Sequence, residues 1–225
     1  MIVHHKSCRH TKEPPPPVHS ILPIIEPVTS SLNEIPVRIS GRHIHISQED
    51  LNQLFGSDSH LTKYRDLDQP GQYAAKETVT VVGPHGVIEA VRILGPVRSQ
   101  TQVEISGTDG YHLGMDPPVR DSGDLHGTPG IVLVGPSGAV TLKQGVILAA
   151  THIHMNTEDA DRFGLKNGDR VQVLVDGERD LIFNEVLVRV DSNFITEMHV
   201  DTDEANAAVI ADGNCVTIIG KVLLS

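Results

Sequence analysis

The sequence is poor in aromatic residues, cysteine and long apolar runs, and each deficit excludes a class of protein. Tryptophan is absent and aromatic residues make up 3% of the 225 residues, so the core must consist of aliphatic side chains. The two cysteines, Cys8 and Cys215, are too few for a disulfide framework, which favours a reducing, cytoplasmic location. No run approaches the roughly 20 apolar residues that span a bilayer, so we expect no membrane partner.

Positive charge is scarce as well. The chain has 18 Lys and Arg against 29 Asp and Glu, a formal net charge of −11. Affinity for nucleic acid comes mainly from cations that neutralise phosphates, so we expect no nucleic-acid partner. Any anionic ligand must then be bound by a few local arginines.

Glycine and proline are abundant by contrast, with 20 and 14 residues, and they cluster between short strand-like runs. One turn segment occurs twice, as VVGPHGVIEAVRIL at 81–94 and IVLVGPSGAVTLKQGVIL at 131–148. The polar segment 57–76 is typical of an excursion from the core. This pattern predicts a mainly β fold of two related units whose segments interleave, with short helices as caps.

Residues 1–35 differ from the rest of the chain. They contain four consecutive prolines and no hydrophobic periodicity, which predicts an extended, flexible leader. A docking peptide for another protein is the alternative.

A His-x-His motif also occurs twice, in GRHIHISQEDLNQLFG (41–56) and THIHMNTEDADRFG (151–164). In each copy the motif is followed by a polar capping residue (Ser47 in the first, Asn156 or Thr157 in the second), a short helical run and a glycine. Because side chains alternate along a strand, the two histidines of each motif face the same side. Such paired imidazoles suit a divalent transition metal such as zinc. The alternative is a duplicated structural strand whose histidines only make local hydrogen bonds.

Each histidine pair needs further ligands. His199 in TEMHVD follows the second motif in a strand-like pattern and is the natural third imidazole there. Three histidines that leave open positions are typical of a catalytic zinc site. For the first motif the candidate carboxylate is Glu104 in QTQVEIS, with Glu89 as an alternative.

Four arginines lie near these strands in the sequence: Arg42, Arg92, Arg98 and Arg120. A guanidinium group matches phosphate oxygens bidentately, so these arginines are candidates for phosphate binding, with surface ion pairs as the alternative. The chain contains no Walker loop, GxGxxG fingerprint or GxSxG elbow, so nucleotide hydrolysis, dinucleotide redox chemistry and serine hydrolysis lack support.

Several longer motifs together resemble one family. SGRHIHISQEDL, QPGQYAAKETVTVVGP, VRILGPVRSQTQVEIS, PVRDSGDLHGTPGIVLVGPSG, GVILAATHIHM and EMHVDTDEANAA are similar to the PduL-type phosphate propanoyltransferases of bacterial microcompartments. The resemblance runs from about Pro36 to the C-terminus. It implies reversible transfer of a short acyl group, propanoyl, between coenzyme A and phosphate, at a two-zinc site in a pair of β-barrels. The substrates would be acyl-CoA, acyl phosphate and phosphate.

The resemblance also implies roles for individual residues. The first zinc would be held by His43, His45 and Glu104. The second would be held by His152, His154 and His199. Arg98 would bind the phosphate. Coenzyme A contacts would fall on Ser40, Gly41, Arg42, Arg92 and Asn206.

The domain organisation that the resemblance implies follows the interleaved pattern. One barrel would contain 36–42 and 150–225, and the other 43–149, with the 57–76 excursion over the site. The 1–35 leader would be an encapsulation segment that binds microcompartment shell or cargo proteins, although its prolines disfavour the amphipathic helix expected there. We also expect a homo-oligomer.

Two other functional classes stay open. A zinc-dependent hydrolase would use water to cleave a thioester or phosphoester. A non-catalytic metal-binding microcompartment module would hold the metal without turnover.

Overall fold

The computed structural model describes residues 24–27 and 34–223, which form sixteen strands and four short helices. The first elements are β1 (Ile24–Pro27), β2 (Glu34–Ile39), β3 (His43–Ser47), α1 (Gln48–Phe55), β4 (Lys63–Asp66), β5 (Tyr73–Val82), β6 (Val87–Arg98), β7 (Gln102–Glu104) and α2 (Gly107–Leu113). The remaining elements are β8 (Val119–Arg120), β9 (Val132–Val134), β10 (Ala139–Thr141), β11 (Val146–Ala149), β12 (His152–Met155), α3 (Thr157–Phe163), β13 (Arg170–Val175), β14 (Leu181–Val190), β15 (Glu197–Val200), α4 (Thr202–Ala208) and β16 (Cys215–Leu223). None of these four helices has the length and apolar character needed to cross a bilayer.

Six strands close into a barrel in the order β16, β13, β14, β12, β15 and β2, with β2 pairing back onto β16. Apolar side chains from all six strands fill its interior, including Ile35, Ile153, Val188 and Met198. Because aromatic residues are rare, the barrel is packed almost entirely by aliphatic side chains. Phe163 of α3 adds one ring to the same cluster.

The edge of β16 is shared by two strands near the N-terminus. β2 pairs with the first part of β16, where Pro36 lies opposite Cys215, and β1 pairs with its last part, where Ile24 lies opposite Leu223. β1 falls within the predicted 1–35 leader, so this part of the leader is a strand rather than a flexible segment. The physical reason is that β2 leaves backbone groups of the longer β16 unpaired, and a second strand can pair with them. The rest of the leader, and with it the predicted encapsulation segment, lies outside the described residues.

Nine strands form the second sheet, in the order β10, β9, β5, β6, β3, β7, β11 and β8, with β4 paired to β5. The sheet is curled into a half-barrel around its own aliphatic cluster, which includes Ile44, Ile93, Val103 and Leu133. All its strands come from 63–149 apart from β3, so the chain enters the barrel, leaves it for this sheet and returns. The prediction of a mainly β fold of two interleaved units capped by short helices is confirmed.

The two His-x-His strands occupy matching places. β3 lies between a parallel β6 and an antiparallel β7, and β12 lies between a parallel β14 and an antiparallel β15. A helix follows each strand directly, and the predicted caps are observed: Ser47 accepts from the Asp50 N–H and Asn156 from the Asp159 N–H. Because Ile44 and Ile153 point into the two cores, the flanking histidines lie on the opposite faces of their sheets.

The repeated turn segments support the helices of the second unit. The turn between β5 and β6 lies against the end of α2, where His85 donates its N–H to the Leu113 oxygen at 3.0 Å. The turn between β9 and β10 lies against the end of α1, where Ser137 donates to the Leu54 oxygen at 2.9 Å. A Cβ at Gly83 or Gly135 would collide with these same backbone oxygens. The glycines of the repeat are therefore required for close packing of a turn on a helix end.

Candidate metal-binding and active site

The first candidate ligand set is assembled by pairing of β3 with β7. His43 lies opposite Glu104 in this antiparallel pair, and His45 lies opposite Gln102. The Nε2 atoms of His43 and His45 are 3.2 Å apart, and each is 3.5 Å from a carboxylate oxygen of Glu104. All three side chains are buried. Three potential ligand atoms thus converge on one point.

The second candidate ligand set is built in the same way from β12 and β15. His152 lies opposite His199, and His154 lies opposite Glu197. The three imidazole rings have centroids 4.7 to 5.1 Å apart, and their potential ligand atoms lie within 4.8 Å of one another. The predicted third imidazole, His199, therefore lies beside the second His-x-His pair.

Backbone carbonyls orient the leading histidine of each motif. His43 donates from Nδ1 to the Gly41 oxygen, and His152 donates from Nδ1 to the Ala150 oxygen, both at 2.8 Å. A carbonyl only accepts hydrogen bonds, so Nδ1 carries the hydrogen and Nε2 keeps its lone pair. This arrangement is typical of metal-binding histidines, whose second ring nitrogen is fixed by a hydrogen bond.

The donor sets fit a divalent metal ion. His154 Nδ1 is buried without a hydrogen-bond partner among the described residues, which is costly unless another species satisfies it. Burial, together with the neighbouring His199, lowers the pKa of His152 to about 4, and burial with His152 lowers the pKa of His154 to about 3. Neutral imidazoles are the form that binds metal ions. The second set is thus poised to bind a cation.

The electrostatics of the first set differ because it contains a carboxylate. Burial lowers the pKa of His45 to about 4 despite its hydrogen bond with Glu104. Burial opposes protonation of His43, but the charge of Glu104 and the hydrogen bonds with Glu104 and the Gly41 backbone together raise its pKa. Burial opposes ionisation of Glu104, yet His43 and His45 hold the pKa of this carboxyl well below its ordinary value. Glu104 is therefore an anion beside two imidazoles.

Both sets border one pocket between the barrel and the second sheet. Its walls contain Glu104 from the first set and His152 and His199 from the second. The other lining residues are small or apolar, namely Ser40, Gly41, Ile105, Ala149, Ala150 and Val200, apart from the acidic Asp201. Ser40 and Gly41, predicted to contact coenzyme A, thus line the same pocket as the candidate ligands.

Three of the four candidate arginines are in different environments. Arg98 is partly buried and donates to the Ser122 hydroxyl at 3.1 Å; burial lowers its pKa, while Glu104 opposes that shift. Arg42 forms a bidentate ion pair with Asp109, at 2.8 and 2.6 Å. Arg92 donates to the backbone oxygens of 75 and 76. Of the three, Arg98 is the one that interacts with a candidate ligand.

The remaining predicted residues belong to neither ligand set and do not line the pocket between them. Asn206 is exposed on α4. Arg120, on β8, is 3.5 Å from Asp124, an exposed ion pair. Glu89, the alternative carboxylate, is exposed and lines a separate surface pocket with Arg42. The structure therefore brings Glu104, and not Glu89, to the first histidine pair.

Two polar residues beside the first set, Gln102 and Ser122, were not predicted from the sequence. Gln102 donates from Nε2 to Glu104 and, at 2.8 Å, to the Ser122 hydroxyl, while its Oε1 accepts from the Gly123 N–H at 2.8 Å. Ser122 thus connects Arg98 with the Gln102 and Glu104 pair. The period of two along β7 could have identified Gln102, because it shares a face with Glu104.

Three further residues beside the second set were also missed. Glu197 accepts from His199 at 2.9 Å, and Gln69 of the 57–76 excursion donates to Glu197 at 2.7 Å. Burial opposes ionisation of Glu197, but His199 and Gln69 together lower its pKa. Arg189 lies next to His154 in the parallel pair of β12 and β14, on the same face, and its charge lowers the pKa of both His154 and Arg98.

Comparison with known proteins gives a consistent result. A family model described as phosphate propanoyltransferase matches residues 36–211. A phosphate propanoyltransferase of Thermotoga maritima is 59% identical over 186 residues, which cover 82% of this chain and 89% of the relative. One from Lachnoclostridium phytofermentans is 53% identical over 186 residues, 82% of this chain and 87% of the relative. One from Priestia megaterium is 50% identical over 197 residues, 88% of this chain and 91% of the relative.

Proposed function

The chain belongs to the phosphate propanoyltransferase family and is a phosphate acyltransferase, and from this premise we propose that it moves a propanoyl group reversibly between coenzyme A and phosphate at a two-zinc site. The reaction is propanoyl-CoA plus phosphate giving propanoyl phosphate plus coenzyme A. The observation that carries the proposal is the convergence of two ligand sets, one from each β unit, on a single pocket.

The proposed zinc ligands are the two converging sets. His43, His45 and Glu104 would hold one ion, and His152, His154 and His199 the other. When bound, zinc ions favour the thiolate form of a sulfur ligand and polarise carbonyl and phosphoryl oxygens. Imidazole and carboxylate ligands also accept cobalt or nickel, so metal analysis is part of the test.

Arg98 is the proposed phosphate-binding residue. Its guanidinium remains a cation at neutral pH, because an arginine is not deprotonated in proteins. Ser122 fixes one of its nitrogens at 3.1 Å, which orients the remaining donors and lowers the cost of aligning phosphate oxygens. Arg189 adds positive charge from the barrel side of the site. Such preorganised donors stabilise charge that develops on phosphate oxygens during acyl transfer.

Coenzyme A is proposed to enter beside Ser40 and Gly41, which line the pocket. The predicted contact with Arg42 requires an exchange, because Asp109 already binds its guanidinium bidentately. A phosphate of coenzyme A could replace Asp109 as the partner of Arg42. Arg92 and Asn206 stay proposed contacts, although neither is among the residues that line the pocket.

The family resemblance extends the proposal to a cytoplasmic enzyme that works inside a bacterial microcompartment as a homo-oligomer. The leader 1–35 is the segment proposed to bind shell or cargo proteins. Fusing residues 1–35 to a fluorescent protein in cells that contain microcompartments tests this extension. Co-purification with the compartments is expected, and a uniformly dispersed fusion would refute it.

One assay tests the function. Purified protein is incubated with propanoyl-CoA, and free thiol is measured with and without phosphate, alongside metal analysis. Thiol release that requires phosphate, with propanoyl phosphate as co-product and two zinc ions per chain, is the expected result. Release without phosphate would identify a hydrolase, and bound zinc without release on any acyl-CoA would identify a non-catalytic module.

A further inference from the structure

We propose that Glu197 is a positioning residue that holds the ring of His199 with its hydrogen on Nε2, and that Gln69 holds Glu197 from the 57–76 excursion. This inference rests on the two-metal site proposed above. It assigns the excursion a definite role, which is to support the second ligand set from the other β unit.

The contact between Glu197 and His199 determines the tautomer of the ring. Glu197 Oε1 lies 2.9 Å from His199 Nε2, and a carboxylate paired with an arginine can only accept a hydrogen bond. Nε2 must therefore carry the hydrogen, and the lone pair is on Nδ1. In His43 and His152 the hydrogen is on Nδ1, held by a backbone carbonyl. His199 is thus oriented by a side chain, which can move unless other groups fix it.

Three donors fix Glu197, which is 1% exposed. Its Oε1 accepts from Gln69 at 2.7 Å as well as from His199, and its Oε2 accepts from Arg38 Nε at 3.2 Å. Arg38 is held in turn by Asp68 at 2.8 Å and by Asp212 at 3.2 Å. Arg38 and Gln69 are therefore each held by further contacts of their own.

Gln69 is the part of this network that comes from the second unit. It is 4% exposed and spans two places on the barrel: Nε2 donates to Glu197 and, at 2.9 Å, to the Ile195 oxygen, while Oε1 accepts from the Ile195 N–H at 3.3 Å. A buried glutamine with all these bonds resists displacement, because each lost bond would leave a buried polar group unpaired. The 57–76 excursion is thereby hydrogen-bonded to the carboxylate that holds His199.

The first ligand set has a counterpart of this arrangement. Gln102 stands two residues before Glu104, as Glu197 stands two residues before His199, and both lie opposite the second histidine of a His-x-His strand. An amide donor supports the carboxylate ligand and a carboxylate acceptor supports the imidazole ligand. The supporting residue therefore matches the hydrogen-bonding needs of the ligand in both halves.

The test compares three variants of the full chain with the wild type. Glu197→Ala removes the acceptor of the His199 hydrogen bond. Gln69→Met removes the amide that donates to Glu197 but keeps a side chain of similar length. Gln48→Met is the matched control, because Gln48 also bonds the excursion, through the Ser59 oxygen, but its other partner is Asn52. Each protein is loaded with zinc, and the two ions are titrated out with a chelator. Histidine nitrogen resonances of the zinc-loaded proteins are recorded by long-range proton–nitrogen NMR.

In the wild type and Gln48→Met we expect two zinc ions and a His199 signal with hydrogen on Nε2. In Glu197→Ala and in Gln69→Met one of the two ions should bind about 10- to 100-fold more weakly, with a smaller effect for Gln69→Met. Unchanged affinity of both ions in a folded Gln69→Met protein, or a wild-type His199 with hydrogen on Nδ1, overturns the inference. A wild type that holds no zinc overturns the two-metal proposal itself.

Discussion

Glu104 and His199 occupy matching positions in the two halves of the molecule. Each lies opposite the first histidine of a His-x-His strand, Glu104 opposite His43 and His199 opposite His152. In the second sheet the carboxylate of Glu104 is itself a candidate ligand. In the barrel the carboxylate of Glu197 is hydrogen-bonded to a candidate ligand, His199. Counting three candidate ligands and one supporting residue in each half, both sets contain one carboxylate among four side chains. They differ in whether that carboxylate is a candidate ligand or the residue that supports one.

Loss of one imidazole from the second set should abolish most of the activity. In His152→Ala we expect phosphate-dependent thiol release from propanoyl-CoA to fall by about 100-fold or more, as is typical when a preorganised electrostatic group is lost. Zinc content should fall as well, from two ions toward one. His126→Ala is the control, because His126 is an exposed histidine outside both ligand sets. Near-normal turnover in His152→Ala would contradict the assignment.

Arg98 should contribute through the shape of its guanidinium as well as through charge. Arg98→Lys keeps the charge but loses the planar fork that matches phosphate, so we expect a higher KM for phosphate. Arg98→Ala should lose about 100-fold in kcat/KM for phosphate. Steady-state kinetics with phosphate as the varied substrate measure both effects.

A matched arginine controls for the change in net charge. Arg179 is exposed in the hairpin between β13 and β14, so Arg179→Ala should leave the kinetics unchanged. If Arg98→Ala and Arg179→Ala have the same kcat/KM for phosphate, Arg98 does not bind phosphate.

The metal-stripped protein should lose stability on mild acidification. The pKa is about 4 for His45 and His152 and about 3 for His154, against about 6.5 in an unfolded chain. As the pH falls from 6.5 toward 4, the unfolded chain takes up protons that the folded chain does not, so the free energy of unfolding decreases. His43, Asp201 and Glu204, whose pKa values are raised, act in the opposite direction. The lowered pKa values of Glu104 and Glu197 act in the same direction as those of the three histidines.

Urea unfolding of the metal-stripped protein at pH 7.5 and pH 5 checks this sign. The urea midpoint should be lower at pH 5, and His154→Gln should reduce the difference because it removes one of the three groups. A midpoint that is equal or higher at pH 5 would show that these imidazoles are not buried in their neutral form.

The glycines of the repeated turn should be needed for stability. In Gly135→Ala the new Cβ would collide with the Leu54 oxygen at the end of α1, so we expect a loss of about 1–3 kcal/mol in the free energy of unfolding. Gly177→Ala is the control, since a Cβ there meets nothing within 4 Å. Equal stability of the two variants in urea unfolding would mean that the turn and helix end can separate without cost.

Local features of the site could be predicted from the sequence because they depend on residues close together in the chain. Strand alternation places His43 and His45 on one face, and the Ser47 and Asn156 caps begin the helices behind the two motifs. The repeated His-x-His motif indicated two related units for the same reason, whereas both copies of the repeated turn lie within the second unit. The choice between Glu89 and Glu104 could not be made locally, since it depends on which strand pairs with β3.

The sequence by itself determined the class of fold, the two histidine pairs and the helix caps, because each follows from spacing within one segment. Only the tertiary structure decided that Glu104 and His199 complete the two sets, that Gln102 and Glu197 support them, and that Gln69 reaches across to the barrel. The physical reason is strand register: a shift of one residue between distant strands turns every side chain to the other face. That register is set by the packing of two aliphatic cores, which no short stretch of sequence contains.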